Sequence, residues 1–212
     1  MEFDGLTRLC LFVDVQGYGQ RPMADQSRIQ GWLVEVIERA REGAGLSKEE
    51  VVKQDQGDGA LLLIHPHIPM PRVLPRLVSA LVEAVEWVNE PLRETSRIKL
   101  RAALDAGVVH QAANGYVGRA IVSAARIVGS GPLRTALNGT HGISVALAIS
   151  DSLYQDVVMS GLPGLPSGKF QEIAVQEKEY AGWAWLLVQR ESNSVATIQE
   201  PHDKSRPNSE EH

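Results

Sequence analysis

Two acidic residues stand where chemistry is possible. In "LFVDVQGYGQR", Leu11 to Arg21, an apolar run ends on Asp14 and passes at once to Gly17, Tyr18 and Gly19. Farther on, "QGDG" sets Asp58 between Gly57 and Gly59. Taken singly, an acid at a strand end or in a Gly-Asp-Gly hairpin is a turn former. Two carboxylates held side by side at a water-accessible edge repel, and divalent cations, which prefer hard oxygen ligands, relieve that repulsion. A metal pair bridging a triphosphate is a standard arrangement for phosphoryl transfer. Gly17 and Gly19 then gain a purpose: bare backbone passes close to phosphates and offers them N–H groups.

The elements that must bring these acids together follow from periodicity. A strand is expected over Leu9–Val15 and a helix over Gln26–Ala40, ended by Gly43 and Gly45. Val51–Asp55 and Ala60–Ile64, joined through Gly57-Asp58-Gly59, read as a hairpin. A second helix over Val73–Asn89 places Pro75 in its first turn, and "RIKLRAALDAGVVH" reads as a strand broken or bent near Asp105-Ala106-Gly107. This β-α-β-β-α-β order is a ferredoxin-like α+β core, with both helices on one face of an antiparallel sheet. The first strand and the hairpin are sheet neighbours there, so Asp14 and Asp58 can share one edge. Further elements decorate the core: a helix over Arg119–Val128, a strand "GISVALAIS", a short capped helix "SDSLYQDVV", and strands near Phe170–Gln176 and Gly182–Val188. Residues 1–189 read as one domain, and the polar stretch 190–212 as a disordered tail.

Composition narrows the class. With 212 residues the chain has room for one sizeable core, and its net charge of -5 argues against a nucleic-acid-binding face. No apolar run is long enough to cross a bilayer and no export signal is legible, so a cytoplasmic protein without a membrane partner is expected. Cys10, the lone cysteine, reads as a buried, inert thiol.

Four stretches together resemble the catalytic domain of the class III nucleotidyl (adenylate/guanylate) cyclases. "LFVDVQGYG" is similar to their first metal motif and "KQDQGDGALLLI" to the second; "RIKLRAALDAGVV" resembles their "LRxRIGIHTGxV" strand and "YVGRAIVSAARI" their "VGxAVNxAARL" helix. The resemblance runs in order from Leu9 to Val128. "ISDSLYQDVV" and "EYAGWAWLLV" are similar to a compact bacterial branch of such domains. It implies a homodimer with active sites shared across the interface. One protomer would hold two divalent cations, Mn²⁺ or Mg²⁺, on Asp14, Asp58 and the backbone carbonyl of Val15. The partner would bring Arg126 to the phosphates of a nucleoside triphosphate, where a guanidinium stays charged and binds bidentately.

The sequence departs from that pattern in two places. The base-reading lysine is replaced by Gln54, and its partner acid is missing from "NGYVG", which offers Tyr116. Lys53 is adjacent but points to the opposite strand face. Gln54 both donates and accepts hydrogen bonds and Tyr116 suits a smaller ring, as in the pyrimidine cyclases of the antiphage Pycsar systems, which favours UTP or CTP. The ribose-orienting asparagine is replaced by Val122; Arg119, on the same helical face as Val122 and Arg126, is the candidate substitute. Three readings stay open: a pyrimidine cyclase whose product is read by a separate cyclic-nucleotide-sensing effector, an adenylate cyclase, and a degenerate cyclase domain that binds nucleotide or dimerises to regulate a partner. His65 and His67 in "HPHIP" read as loop residues, Arg101 as the partner of an acid, and Trp183 and Trp185 as sheet packing.

Overall fold

A computed structural model describes residues 5–139, 142–161 and 163–188. The tail at 190–212 lies outside the described residues. The chain runs β1 (Leu6–Val15), α1 (Met23–Gly43), β2 (Val51–Asp55), β3 (Gly59–Ile64), α2 (Met70–Asn89), β4 (Leu100–Ala112), β5 (Gly115–Val117), α3 (Arg119–Val128), α4 (Gly131–Gly139), β6 (Val145–Ser150), α5 (Asp151–Leu153, continuing as a π-turn over Tyr154–Val158), β7 (Phe170–Glu177) and β8 (Tyr180–Leu187). The sheet order is β2-β3-β1-β4-β6-β8-β7, with β5 paired to β4. Its first four strands are the expected ferredoxin-like core, all antiparallel. The parallel β4–β6 pair joins the extension to it.

The two faces of β1 differ because side chains alternate along a strand. Leu9, Leu11, Val13 and Val15 enter the large core under α1 and α2, whose buried stripes include Ile29, Leu33, Val36 and Ile37, and Leu74, Leu77, Leu81 and Val85. Cys10 and Phe12 turn to the opposite face, which α3 and α4 cover. Ala103, Ala146, Ala148 and Ala184 line that second face, and small side chains let the short helices approach the sheet. A Cβ on Gly107 would meet Ala120 of α3 at 3.2 Å, which shows how close that approach is. Asn89 ties the end of α2 to the entry of β4, donating to the Ile98 carbonyl (2.9 Å) and accepting from its N–H (2.8 Å).

Several expectations are corrected. β4 continues unbroken through Asp105-Ala106-Gly107, paired throughout with β1. One oxygen of the Asp105 carboxylate, Oδ1, accepts there from Ser150, Ser152 and the Ala106 N–H. Helix α2 starts at Met70, so Pro75 stands inside it and removes one backbone hydrogen bond close to its N-terminal end. α4 and the small β5 strand had no counterpart in the sequence reading. Trp185 does pack, its ring stacked 3.7 Å from that of Tyr154. Trp183 is exposed, because its register partner is only Ala174 of the edge strand and pairing with β6 begins at Ala184.

Candidate active site

Backbone pairing fixes the two acids. Asp14 lies opposite Gly59 in the β1–β3 ladder, and the Val15 N–H donates to the Asp58 carbonyl at 3.0 Å. The two strand ends are therefore laced together immediately beside both carboxylates. Gly59 makes this possible, since a Cβ there would sit 2.3 Å from the Val13 carbonyl oxygen. By strand alternation Asp14 faces the α3/α4 side. It is half-buried rather than open to solvent, because the opposing β4 residue, Arg101, forms a direct ion pair with it.

Burial raises the Asp14 pKa above its ordinary value; Arg101 pulls it back, Asp58 pushes it further up, and Arg134 of α4 lowers it. Sequence reasoning gave Arg101 an acid partner without naming Asp14, and it missed Arg134. A register argument across β1 and β4 could have found the first; nothing local points to the second, because it rests on where α4 packs. Among the described residues no group of three or more His, Cys, Asp or Glu forms a metal cage. Asp14 and Asp58 nevertheless fit hard divalent cations of the magnesium type, which bind through one or two carboxylates and complete their shells with water and phosphate oxygens.

A cleft of about 590 Å³ opens just beyond Asp14. Its walls include Gln16 and Gly17 of the loop after β1, Arg21, Arg97 and Lys99, and Asn138 at the end of α4. The burial alternation of β4 extends upstream, with Ile98 and Leu100 fully buried and Arg97 and Lys99 exposed. Lys99 thus shares the face of Arg101 and Asp14, and the Gln16 N–H donates to the Lys99 carbonyl (2.9 Å). Gly17 adopts φ +69° and has no atom near the position of a Cβ, so its backbone is accessible. Tyr18 packs against the α1/α2 core and anchors this loop.

Gln54 and the β4–β5 hairpin meet in the same chain. A Cβ at Gly115 would come within 2.7 Å of the Gln54 amide nitrogen, and Gly115 holds φ +98°. The Gln54 Oε1 is buried with no hydrogen-bond partner among the described residues. Tyr116, the next residue, packs on the apolar cluster of Cys10, Leu61 and Leu63, with the Arg8 guanidinium 5.9 Å from its ring. Lys53 points away and pairs with Asp55 at 2.9 Å.

On α3, Arg119 and Val122 are exposed and Ser123 is buried, the arrangement expected from a shared 119/122/126 face. Arg126 is bound by Glu179 of the β7–β8 turn, through Nε at 3.2 Å and Nη2 at 2.6 Å. Among the described residues it forms no ion pair with Asp14 or Asp58. Within one chain, the structure brings together Asp14, Val15, Asp58 and Gly17, and separately Gln54 and Tyr116; among the described residues neither Arg119 nor Arg126 pairs with either acid.

No family model and no curated protein matches the chain. Solved structures do. An adenylate/guanylate cyclase/hydrolase from Silicibacter pomeroyi aligns with TM-score 0.63 at 18% identity, over 89% of this chain and all of that one. The adenylyl cyclase CyaB from P. aeruginosa aligns with TM-score 0.60 at 11% identity, over 92% and 100%. The guanylate cyclase domain of RhGC from Catenaria anguillulae, solved with GTP, aligns with TM-score 0.56 at 18% identity, over 88% and 98%. The chain therefore has the α+β fold of adenylate/guanylate cyclase catalytic domains.

Proposed function

We propose that the chain is a metal-dependent nucleotidyl cyclase that converts a nucleoside triphosphate, UTP or CTP ahead of ATP, into the 3′,5′-cyclic monophosphate and diphosphate. The observation that carries this reading is the lacing of Asp14 and Asp58 at the ends of two neighbouring strands, with a cleft walled by Gln16, Gly17, Arg21, Arg97 and Lys99 opening past the Asp14 strand, on a cyclase fold. Asp14, Asp58 and the Val15 carbonyl would hold two divalent cations, Mn²⁺ or Mg²⁺, which when bound lower the pKa of the ribose 3′-hydroxyl and neutralise the triphosphate. In the reaction the 3′-hydroxyl gives up its proton to water, its oxygen bonds to the α-phosphorus, the bond from that phosphorus to the α,β-bridging oxygen breaks, and diphosphate leaves. Arg101 keeps Asp14 oriented, and the Gly17 backbone offers N–H groups to the phosphates. In a homodimer Arg126 of a second copy would meet the charge that develops on the phosphates. Arg119 replaces the ribose-orienting group that Val122 cannot supply.

Gln54 and Tyr116 support the pyrimidine preference. The unpartnered Gln54 Oε1 calls for a donor, which a uracil N3–H or cytosine amino group supplies, and Tyr116 offers a ring face beside it. A cyclic pyrimidine nucleotide would serve as an alarm signal for a separate sensing effector, as in Pycsar-type defence. A second reading, a regulatory domain that binds nucleotide without turning it over, is favoured by exposed Val122 and by the occupation of Arg126 by Glu179.

The test is to incubate the protein separately with ATP, GTP, CTP and UTP and Mn²⁺, and to resolve products by mass. A cyclic pyrimidine nucleotide, lost to background in Asp14→Ala and Asp58→Ala, is the expected result. ATP as the best substrate would select the adenylate cyclase alternative. Tight triphosphate binding without turnover would select the regulatory reading, and undiminished product in both variants would rule out the metal pair.

A further inference from the structure

Three cations gather around the cleft beyond Asp14 with no carboxylate to neutralise them. Arg21, Arg97 and Lys99 all line it, and among the described residues none of them forms an ion pair. Glu94, the acid among the described walls, pairs with none of them either. The walls therefore carry an excess of positive charge in a chain whose net charge is -5. Like charges held around one cleft repel, and an anion between them relieves the repulsion.

The backbone keeps these cations where they are. Ile98 is fully buried and tied to Asn89 through both its N–H and its carbonyl, so Arg97 and Lys99 on either side of it turn outward together. Arg21 donates from Nη2 to the Arg97 carbonyl at 3.3 Å, which brings its guanidinium to the same rim. The Gln16 side chain donates to Asn138 Oδ1 at 2.5 Å and fastens the end of α4 to the loop after β1. Gly17 follows in that loop at φ +69°, open at the position of a Cβ, and its N–H is bonded to nothing among the described residues. An anion in the cleft can reach that N–H.

We propose that this cleft binds an oligophosphate anion through Arg21, Arg97 and Lys99, and that the anion is the diphosphate released in the proposed reaction. The source of the anion rests on the cyclase reading; its binding does not. Guanidinium forks grip phosphate oxygens bidentately, and a lysine adds a point charge. Cations spread along a cleft of about 590 Å³ suit a ligand whose charge is spread over several oxygens rather than one small ion. Arg97 and Lys99 stand at the entry of β4, on one side of β1, whereas Asp58 precedes β3 on the other. Diphosphate held there needs neither acid nor metal, and it delays the next turnover until it leaves, which makes it a product inhibitor.

Isothermal titration of the wild-type chain, stripped of divalent ions, with sodium diphosphate reads the cleft without the metal pair. One anion per chain is expected, bound more tightly than sulfate and more weakly as salt rises. Arg97→Gln and Lys99→Gln should each weaken it about tenfold, with circular dichroism unchanged because both side chains are exposed. The Gly17 amide should shift in ¹H–¹⁵N spectra as diphosphate is added. In turnover at constant free Mn²⁺, inhibition by diphosphate should ease by the same factor in both variants. Absence of turnover would strike the cyclase reading and leave the titration to decide the site. No uptake, uptake that survives both substitutions, or uptake lost in Arg101→Gln alone, which would put the anion beside Asp14, would each overturn it. A 3′-deoxynucleoside triphosphate bound to the metal-free chain more than about tenfold tighter than diphosphate, and weakened by the same two substitutions, would give the cleft to a nucleotide tail and overturn the assignment to the leaving group.

Discussion

Asp14 carries the sharpest conflict at the scale of single residues. Burial, with the nearby Asp58 charge, raises its pKa above the ordinary 3.8 more than Arg101 and Arg134 together lower it. For a raised pKa, the associated stability is fully present below the unfolded value and is lost as pH rises through the folded one. In metal-free protein the melting temperature should therefore carry a decline across that acid window that Asp14→Asn lacks. Mg²⁺ favours the charged carboxylate and should raise the wild-type melting temperature above the window but not below it. A scanning-calorimetry series of both proteins across pH, with and without Mg²⁺, checks this. Cys10 provides a simpler case. Burial pushes its thiol up to about 12, so a thiol reagent at neutral pH should leave it unmodified in the native protein and label it on unfolding.

At the scale of elements, the site depends on the β2–β3 hairpin lying flush against β1. Gly59 has no room for a side chain, since the Val13 carbonyl would be 2.3 Å from its Cβ. Gly59→Ala should destabilise the fold by roughly 1–3 kcal/mol through overpacking and displace Asp58 from Asp14. Urea unfolding, together with Mn²⁺ affinity, measures both effects. Helix α3 poses a separate question, because its Arg126 is held by an exposed Glu179. Exposed pairs of this kind are weak and easily exchanged. Glu179→Gln should leave stability unchanged and turnover equal or higher, whereas Arg126→Ala should lower kcat on the order of a thousandfold, as loss of a charge-stabilising arginine does in phosphoryl transfer. Steady-state kinetics of the two variants separates a latch from a structural contact.

For the molecule as a whole, Arg126 of the described chain pairs with Glu179 and with neither acid, which fits sites completed by a second copy. Leu6, Val117 and Val122 are large apolar side chains left exposed, and such residues are candidates for covering in a dimer. Mixing inactive Asp14→Ala and Arg126→Ala proteins then restores activity. Random exchange makes half the dimers mixed, each with one intact site of two, so about a quarter of wild-type activity is expected. Continued inactivity of a mixture shown by mass to have exchanged would exclude sites shared in this way.

Much of this was legible in the chain itself. Period and turn chemistry gave β2 and α3 with their observed bounds, and the β-α-β-β-α-β order implied that β1 and the hairpin are neighbours. Asp14 and Asp58 could be paired in advance because strand adjacency is a topological consequence of that order. Alternation likewise turned Lys53 away from Gln54, and helical geometry separated Ser123 from Val122. What depended on packing was not legible. The course of β4 through Asp105 relied on serines far along the chain, α4 carried too short an apolar signal to stand out, and Glu179 reached Arg126 from a distant turn. Sequence by itself determined which residues share a face and which strands touch, because those follow from local period and connectivity. Only the tertiary structure decided which charges surround Asp14 and that Glu179 takes up Arg126, because those depend on side chains meeting across elements whose separation no local pattern encodes.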